Sequence, residues 1–565
     1  MIPTVTSSVL RTRRLVFVLA NILIYVVLIA GLVSALGGSA LGWVMIACFA
    51  TFAPWSVLGF TTGLIGLALL FTKRPPPLAI APITQRTAVV MTLRNEDPAR
   101  ALQRLRIVQR SLDATGEAAH FAYFVLSDTS EPDTALREEA GIAAWRDIDP
   151  IPGRIFYRRR AVNTGFKAGN VMEFCDSQGA GFDLMIPLDA DSLMSGPAIL
   201  DLVRIMQSDP TLGIVQGLVV GLPATSVFAR MFQFGMRHGM RSYTVGQAWW
   251  THDCGPFWGH NAILRIAPFR AHCKLPVLPG APPFGGHILS HDQVEAVLMR
   301  RAGFSVRLQA VAGGSWEDNP PTIIDYISRD TRWCQGNLQY LRLLGMPGLL
   351  AVSRFQLIWA VLMFAGIPAL TLLVALLPVA ALLMAVPDDL GVLKAVYWVF
   401  MLMFLTPKLA GYLHTVAGAV HCARYGGRVR FACGVVVEIL FSFLQSSITS
   451  FHTACFMVSL VLGHTTRWAG QTRDAYRVSW REAAWMFWPQ TLFGAVVCGT
   501  LFVAVPQLLL YALPFSLGAL LAIPFAVVTS DRRLGAWCVR AGLCAVPEDR
   551  DAPPEVAALT FGRAG

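Results

Sequence analysis

Three long stretches of this chain carry no charged side chain: between Arg14 and Lys73, between Arg354 and Asp388, and between Glu482 and Asp531. A bilayer span needs about 20 apolar residues, so the first and last stretches each hold two helices. The chain is 55% hydrophobic and 14% charged. A soluble domain carries about 25% charged residues, and the deficit here sits in these blocks. Gly37-Gly38-Ser39 and Pro54-Trp55 break the first block unevenly. No Ala-x-Ala-like site followed by polar sequence occurs, so a cleaved signal peptide is not expected.

Lys and Arg in short flanking loops set the orientation. Arg11, Arg13 and Arg14 place the N-terminus (1–14) in the cytoplasm, and two helices (15–72) return the chain there at Lys73-Arg74. A soluble cytoplasmic domain then fills 73–352. A membrane region with interfacial or re-entrant helices fills 353–530, and 531–565 is a cytoplasmic tail. Arg424, Arg428 and Arg430 mark one further cytoplasmic loop. Arg467, Arg473, Arg477 and Arg481 mark another, and Arg532, Arg533 and Arg540 mark the tail. The run from Phe355 to Pro387 is too long for one simple span and reads as an interfacial helix plus a crossing. Residues 431–463 contain Glu438 and the polar centre FLQSSITSFHT. They read as two crossings, a re-entrant hairpin or an interfacial helix, for a total of six crossings, or eight.

The net charge of +11 reflects the basic loops. A nucleic-acid partner would require a clustered basic face with stacking aromatics. Only Arg158-Arg159-Arg160 is compact, and it reads as surface or interface charge. Eleven cysteines without CxxC pairs imply no disulfide framework.

Within 73–352, strand-like apolar runs alternate with helical stretches: TAVVMT, FAYFVLSD, IFYRRR and FDLMIPLDAD are separated by amphipathic segments. That alternation predicts a mostly parallel α/β sheet, whose ligands gather at the carboxyl ends of its strands. Arg94, Asp128, Asp189 and Asp191 fall there. Two carboxylates ending a buried strand can share a Mg²⁺ ion with substrate phosphates. Asp128 could equally cap a turn, and Lys167 could be an ordinary helix-start lysine. Asp292 follows a Gly/Pro-rich loop and opens a helix, which suits an N-cap, a general base, or both. Arg329, Arg332 and Trp333 precede the return to the membrane. They fit either an interfacial belt or a diphosphate and sugar contact.

Taken together, Asp128, Asp189/Asp191, Asp292 and the RDTRW segment resemble the processive family 2 glycosyltransferases, such as cellulose and hyaluronan synthases. His291 stands where those enzymes carry Glu, and Arg329 stands where they carry Gln. Both departures, with FKAGN, FWGHNAILR, SHDQVEAVLMRRAG and RDTRWCQGNLQYL, are similar to the subfamily that makes osmoregulated periplasmic glucans. The resemblance implies a GT-A-type α/β catalytic domain inserted in a polytopic helical membrane protein of the bacterial inner membrane. It implies UDP-glucose as donor, a divalent cation (Mg²⁺ or Mn²⁺) and an inverting transfer. The product would be a linear β-1,2-glucan backbone guided toward the periplasm.

Residue by residue, the resemblance gives Asp128, Lys167, Asp189 and Arg332 to the nucleotide sugar, and Arg94 joins them by its place at a strand end. Asp191, with Asp189, goes to the metal, and Asp292 is the base. Trp333, Gly259, His260, Asn261 and Gln335 go to the acceptor. Arg329 puts the usual glutamine contact with nucleotide in question. Expected partners are the growing glucan, the lipid bilayer, acyl carrier protein and periplasmic glucan-modifying proteins, with no nucleic acid. The long N-terminal extension of enterobacterial members is not present in this sequence, and functions tied to it are not expected. Another β-linked polysaccharide synthase and a non-enzymatic transporter or scaffold are the competing readings.

Overall fold

The computed structural model describes residues 6–72, 81–384, 390–465 and 476–561. It opens with α1 (Ser7–Leu36) and α2 (Ala40–Thr72). The chain turns between them at Gly37–Ser39, but Pro54 is carried inside α2 without a break. Asn21 and Thr61, both buried, join the two helices through a 2.9 Å side-chain hydrogen bond. Such bonds satisfy polar groups that lipid cannot.

The α/β domain follows as β1 (Thr87–Leu93), α3 (Pro98–Asp113), β2 (Phe121–Ser127), α4 (Pro132–Ile148), β3 (Ile155–Arg159), α5 (Phe166–Asp176), β4 (Leu184–Leu188) and α6 (Gly196–Ser208). Then come β5 (Leu212–Gly217), α7 (Val227–Thr251), β6 (Ala262–Arg265), α8 (Ile266–His272), α9 (Asp292–Arg301), β7 (Ser305–Gln309) and α10 (Ile323–Leu338). Pro98 and Pro132 start α3 and α4, where a missing N–H does no harm. The sheet order is β3-β2-β1-β4-β6-β5-β7. β1 to β4 pair in parallel, as do β5 and β7, while β6 runs antiparallel to both of its neighbours. The runs FAYFVLS and LMIPL are buried at every residue, as strands covered on both faces must be. The expected mostly parallel sheet is therefore present, with one strand reversed.

The chain continues as α11 (Ala351–Ala365), α12 (Ile367–Leu383), α13 (Gly391–Ala417), α14 (Ala419–Arg424), α15 (Arg428–Val461), α16 (Trp480–Ala504), α17 (Pro506–Leu520), α18 (Ala522–Thr529) and α19 (Arg532–Ala541). Among the described residues, six helices are long and apolar enough to cross a membrane. They are α1, α2, α11 with α12, α13, α15 and α16. The pair α17–α18, bent by 62°, makes a seventh if it is one span.

The 431–463 stretch needs correcting. Residues 431–461 lie in one unbroken 34-residue helix, α15, which a hairpin or two crossings would have to break, and the described residues hold six helices of membrane-spanning length, or seven with α17–α18. The polar centre does not break α15, because Thr449 bonds back to the Gln445 carbonyl (3.0 Å) and Ser447 donates to the Phe515 carbonyl (2.9 Å). Both halves of α15 meet helices of the α/β domain. Glu438 abuts Gly235 of α7, and Thr453 donates to Asp330 of α10 (3.4 Å). The basic marks Lys73-Arg74, Arg467 and Arg473 lie outside the described residues.

Helix α7 joins the two halves of the molecule. It packs on α2, α13 and α15, and its Trp250 forms a three-ring cluster with Phe17 of α1 (4.7 Å) and Trp359 of α11 (5.5 Å), which are themselves 6.3 Å apart.

Candidate active site

The strand register brings the acidic landmarks together. Leu93 pairs with Ser127, and Met91 pairs with Leu188. Arg94, Asp128 and Asp189 therefore leave three adjacent parallel strands on one edge. Asp128 is buried and held by Arg160 through two hydrogen bonds, 2.7 Å from Nε and 2.9 Å from Nη2. That bidentate fork fixes the carboxylate and leaves lone pairs for a ligand. Arg160 also donates to the carbonyls of Thr164 and Phe166. It is 7% exposed, so the reading of 158–160 as surface charge fails there. Arg158 likewise turns inward, onto Asn170, and only Arg159 remains at the surface. The turn-capping alternative for Asp128 is replaced by this ion pair.

Lys167, in the first turn of α5, forms a salt bridge with Asp189 and donates to the Gly259 carbonyl at 2.9 Å. Gly259 has φ +82° and lies against the start of α9, where a Cβ would sit 3.4 Å from the Asp292 Cβ. Bonds thus join Asp189, Lys167 and Gly259, and Gly259 sets them close to Asp292 at the start of α9. Asp292 is the first residue of α9 and half-buried, and His291 precedes it at the cap position without a side-chain cap bond. His291 Nδ1 lies 2.8 Å from Glu295 Oε2. Burial pulls the His291 imidazole down, but the Glu295 carboxylate pulls it further up, so its pKa is raised.

Asp191 is 7% exposed, and its carbonyl accepts from Arg104 at 2.5 Å. Arg104 also pairs with Asp318 (2.5 Å). His260 lies between Ser192 (3.4 Å) and Glu317 (3.4 Å). Asn261 is fully buried and donates to Ser315 Oγ (2.9 Å), so it holds the loop and exposes no surface of its own. Gln216, also fully buried, accepts from Trp258 N–H (2.8 Å) and donates to the His260 carbonyl (3.1 Å).

Helix α10 and the turn that follows it close the site. Gln335 donates to the Pro283 carbonyl (3.3 Å), Gln339 accepts from Leu289 N–H (2.9 Å), and Tyr340 donates to the Ser290 carbonyl (2.9 Å). These bonds fix the loop that delivers Asp292. Arg332 is buried, whereas Trp333 is 46% exposed. Arg329 lies over three rings: Trp333 at 4.7 Å, Tyr326 at 5.6 Å and Phe232 at 5.7 Å.

Sequence reading missed Arg104, Gln216, Gln339 and Tyr340. Gln216 did carry a signal, as a polar residue closing the buried run LGIVQ. The others are paired across long sequence separations and carried none.

The family model "Glycosyl transferase family group 2" matches residues 184–408. A protein of Shewanella oneidensis named glucans biosynthesis glucosyltransferase H is 34% identical over 96% of this chain and 78% of its own length. Relatives of the same name from Vibrio cholerae and Xanthomonas campestris are also 34% identical, over 93% and 92% of this chain and 76% and 84% of theirs. A solved mannosyltransferase of Pyrobaculum calidifontis, in complex with GDP-Man and Mn²⁺, has a TM-score of 0.42 at 16% identity, covering 65% of this chain and 99% of that one; that likeness is too weak to argue from. With a GT-A-like domain, several membrane-length apolar helices and relatives matched along nearly its whole length, the chain belongs to the glucans biosynthesis glucosyltransferase H family of group 2 glycosyltransferases.

Proposed function

We propose that this chain transfers glucose from UDP-glucose, with inversion, to build a linear β-1,2-glucan backbone at the bacterial inner membrane. The observation that carries this reading is the bonded set Asp189–Lys167–Gly259, with Asp292 close to Gly259, at the edge of the parallel sheet. It sets a cation and a carboxylate for the diphosphate side next to a second carboxylate for the acceptor side. Asp128, fixed by Arg160, holds the uridine. Lys167 and Arg332 bind the diphosphate. Asp292 takes the proton from the acceptor hydroxyl as that oxygen attacks the anomeric carbon from the face opposite UDP. Trp333 offers its exposed ring to the glucan.

Asp189 and Asp191 suit a hard divalent cation. Among the described residues no group of three His, Cys, Asp or Glu side chains could hold a metal. The remaining ligands would therefore be diphosphate and water, as Mg²⁺ favours. Because Lys167 already engages Asp189, Asp191 is the principal protein ligand. When bound, the cation offsets charge on the leaving diphosphate.

The contacts of α15 with α7 and α10 support placing it along the cytoplasmic face. Six crossings remain, by α1, α2, α11–α12, α13, α16 and α17–α18. Both termini are then cytoplasmic, and the crossing helices guide the glucan toward the periplasm.

The test is reconstitution in vesicles with UDP-glucose, reading UDP release and product linkage. We expect β-1,2-linked glucose, with release falling below about a tenth in excess EDTA and returning with Mg²⁺ or Mn²⁺. A different linkage would assign the chain to another polysaccharide synthase. Absence of UDP release would make it non-enzymatic.

Arg329 supplies a further prediction. Stacking on Trp333 makes it a brace for the acceptor platform, and a desolvated cation–π contact is worth about 1–2 kcal/mol. Arg329→Gln should raise the acceptor KM roughly 5- to 30-fold and leave UDP-glucose affinity unchanged. A selective loss of UDP-glucose affinity would return this position to a nucleotide role.

A further inference from the structure

We propose that a second site binds the phosphate of an acidic phospholipid headgroup, in a cavity separate from the sheet edge that holds the donor. The cavity has a volume of about 1520 Å³. It is walled by the last turn of α2, the middle of α7, His414 at the end of α13, α14, the 308–314 loop and the tail segment around Glu548. None of Asp128, Lys167, Asp189, Asp191 or Asp292 lines it.

Its charge is unbalanced. Arg13, Arg237, Arg241 and Arg424 line it, against the carboxylates Glu548 and Glu555. Both carboxylates are engaged. Glu548 takes two hydrogen bonds from Arg237, at 2.6 and 2.8 Å, and one from Trp316 Nε1 at 3.1 Å. Glu555 accepts from Ser111. Among the described residues no carboxylate lies within ion-pair distance of Arg241 or Arg424. Burial, and then the charges of Arg237 and Arg424 against the opposing effect of Tyr425, hold the Arg241 guanidinium below its ordinary pKa. Two guanidiniums lining one cavity without a counter-charge suit an anion shared between them.

Unsatisfied polar atoms in the wall point the same way. His252 has no partner at either ring nitrogen, and His414 and His421 have none at Nδ1. His238 is 1% exposed and donates Nδ1–H to the Phe234 carbonyl (2.7 Å), while its Nε2 has no partner. Burial pushes its pKa down to about 3, so this Nε2 is an acceptor for a ligand hydroxyl. Cations with a hydroxyl acceptor fit a phosphodiester that carries a polyol.

The source is set by position. The site lies at the ends of α2 and α13, both of membrane-spanning length. On the topology proposed above, those ends lie at the inner-leaflet headgroups. Leu69, Phe71, Val245 and Trp249 give one wall an apolar surface for the acyl stem. Basic pockets between helix ends on this side are where anionic headgroups bind.

The test places the full chain in phosphatidylcholine nanodiscs with or without phosphatidylglycerol. It reads the melting temperature and the phosphatidylglycerol retained in native mass spectra, and neither readout depends on glucan synthesis. Wild type should be stabilised by phosphatidylglycerol and retain it, and the double variant Arg241→Gln/Arg424→Gln should retain about tenfold less. Arg424 is exposed, so Arg424→Gln alone keeps the fold and should show part of the loss. Equal retention by wild type and Arg424→Gln would overturn the site. Equal stabilisation by inorganic phosphate or UDP in pure phosphatidylcholine discs would overturn the lipid assignment and make the ligand a soluble phosphate.

Discussion

Asp292→Asn should lower glucose transfer by about 10²- to 10⁴-fold, the range a positioned general base contributes, with UDP-glucose affinity unchanged. The substitution keeps the size of the side chain and removes only its ability to accept a proton. The fold should tolerate it. Asp292 is half-buried, and its carboxylate makes no ion pair among the described residues. Removing a negative charge from the first turn of α9 costs about 0.3–1 kcal/mol. The surrounding loop is held by other groups, since Gln335 of α10 and Gln339 and Tyr340 in the turn after it bond to it. A second variant separates chemistry from position. Glu295→Gln weakens the grip on His291 without touching Asp292, so its loss of transfer should be much smaller. Asp292→Asn turnover within a few-fold of wild type, with UDP-glucose still bound, would remove Asp292 from the base role.

The placement of Arg94, Asp128 and Asp189 was legible in the sequence because a parallel sheet imposes geometry. Once TAVVMT, FAYFVLSD and FDLMIPLDAD read as buried strands, the residues after them had to share an edge, and the register confirms it. Arg160 was not legible. It lies 32 residues from Asp128, in a basic triplet whose composition suits a surface, and only the pairing of β3 beside β2 turns it inward. The polar centre of α15 misled for a related reason. A run of Gln, Ser and Thr reads as a break, yet these side chains satisfy themselves on helix carbonyls and on α17. Helix α7 is amphipathic, but its sequence does not say what its apolar face packs on. Its glycines and arginines suit neither a span nor an ordinary surface helix, and its purpose lies in the three helices that grip it.

That grip predicts opposite signs for one substitution made twice on α7. Gly246→Ala should destabilise the protein strongly, whereas Gly239→Ala should leave it unchanged or slightly more stable. A Cβ on Gly246 would lie 1.9 Å from the Thr62 carbonyl oxygen of α2, and the reciprocal Cβ on Gly66 would lie 1.8 Å from the Ser242 carbonyl oxygen. Both obstacles are backbone, so neither can rotate away, and the two helices must separate. Small residues permit such close crossings. Their loss forfeits packing on both sides, at about 1–3 kcal/mol or more for overpacking of this kind. Separation would also strain the bond from Ser242 Oγ to the Pro407 carbonyl of α13 (2.6 Å). At Gly239 the nearest atom is Lys408 Cγ, 3.4 Å away on a flexible side chain. There the helix-forming advantage of Ala over Gly, about 1 kcal/mol, is free to appear. Thermal unfolding of detergent-solubilised protein, followed by size-exclusion fluorescence, reads both variants. Because α7 carries the α/β domain against α2 and α13, the Gly246 variant should also lose glucan synthesis in proportion to its folded fraction. If Gly246→Ala melts with the wild type, the α2–α7 crossing is looser than described and α7 does not fix the domain on the membrane helices.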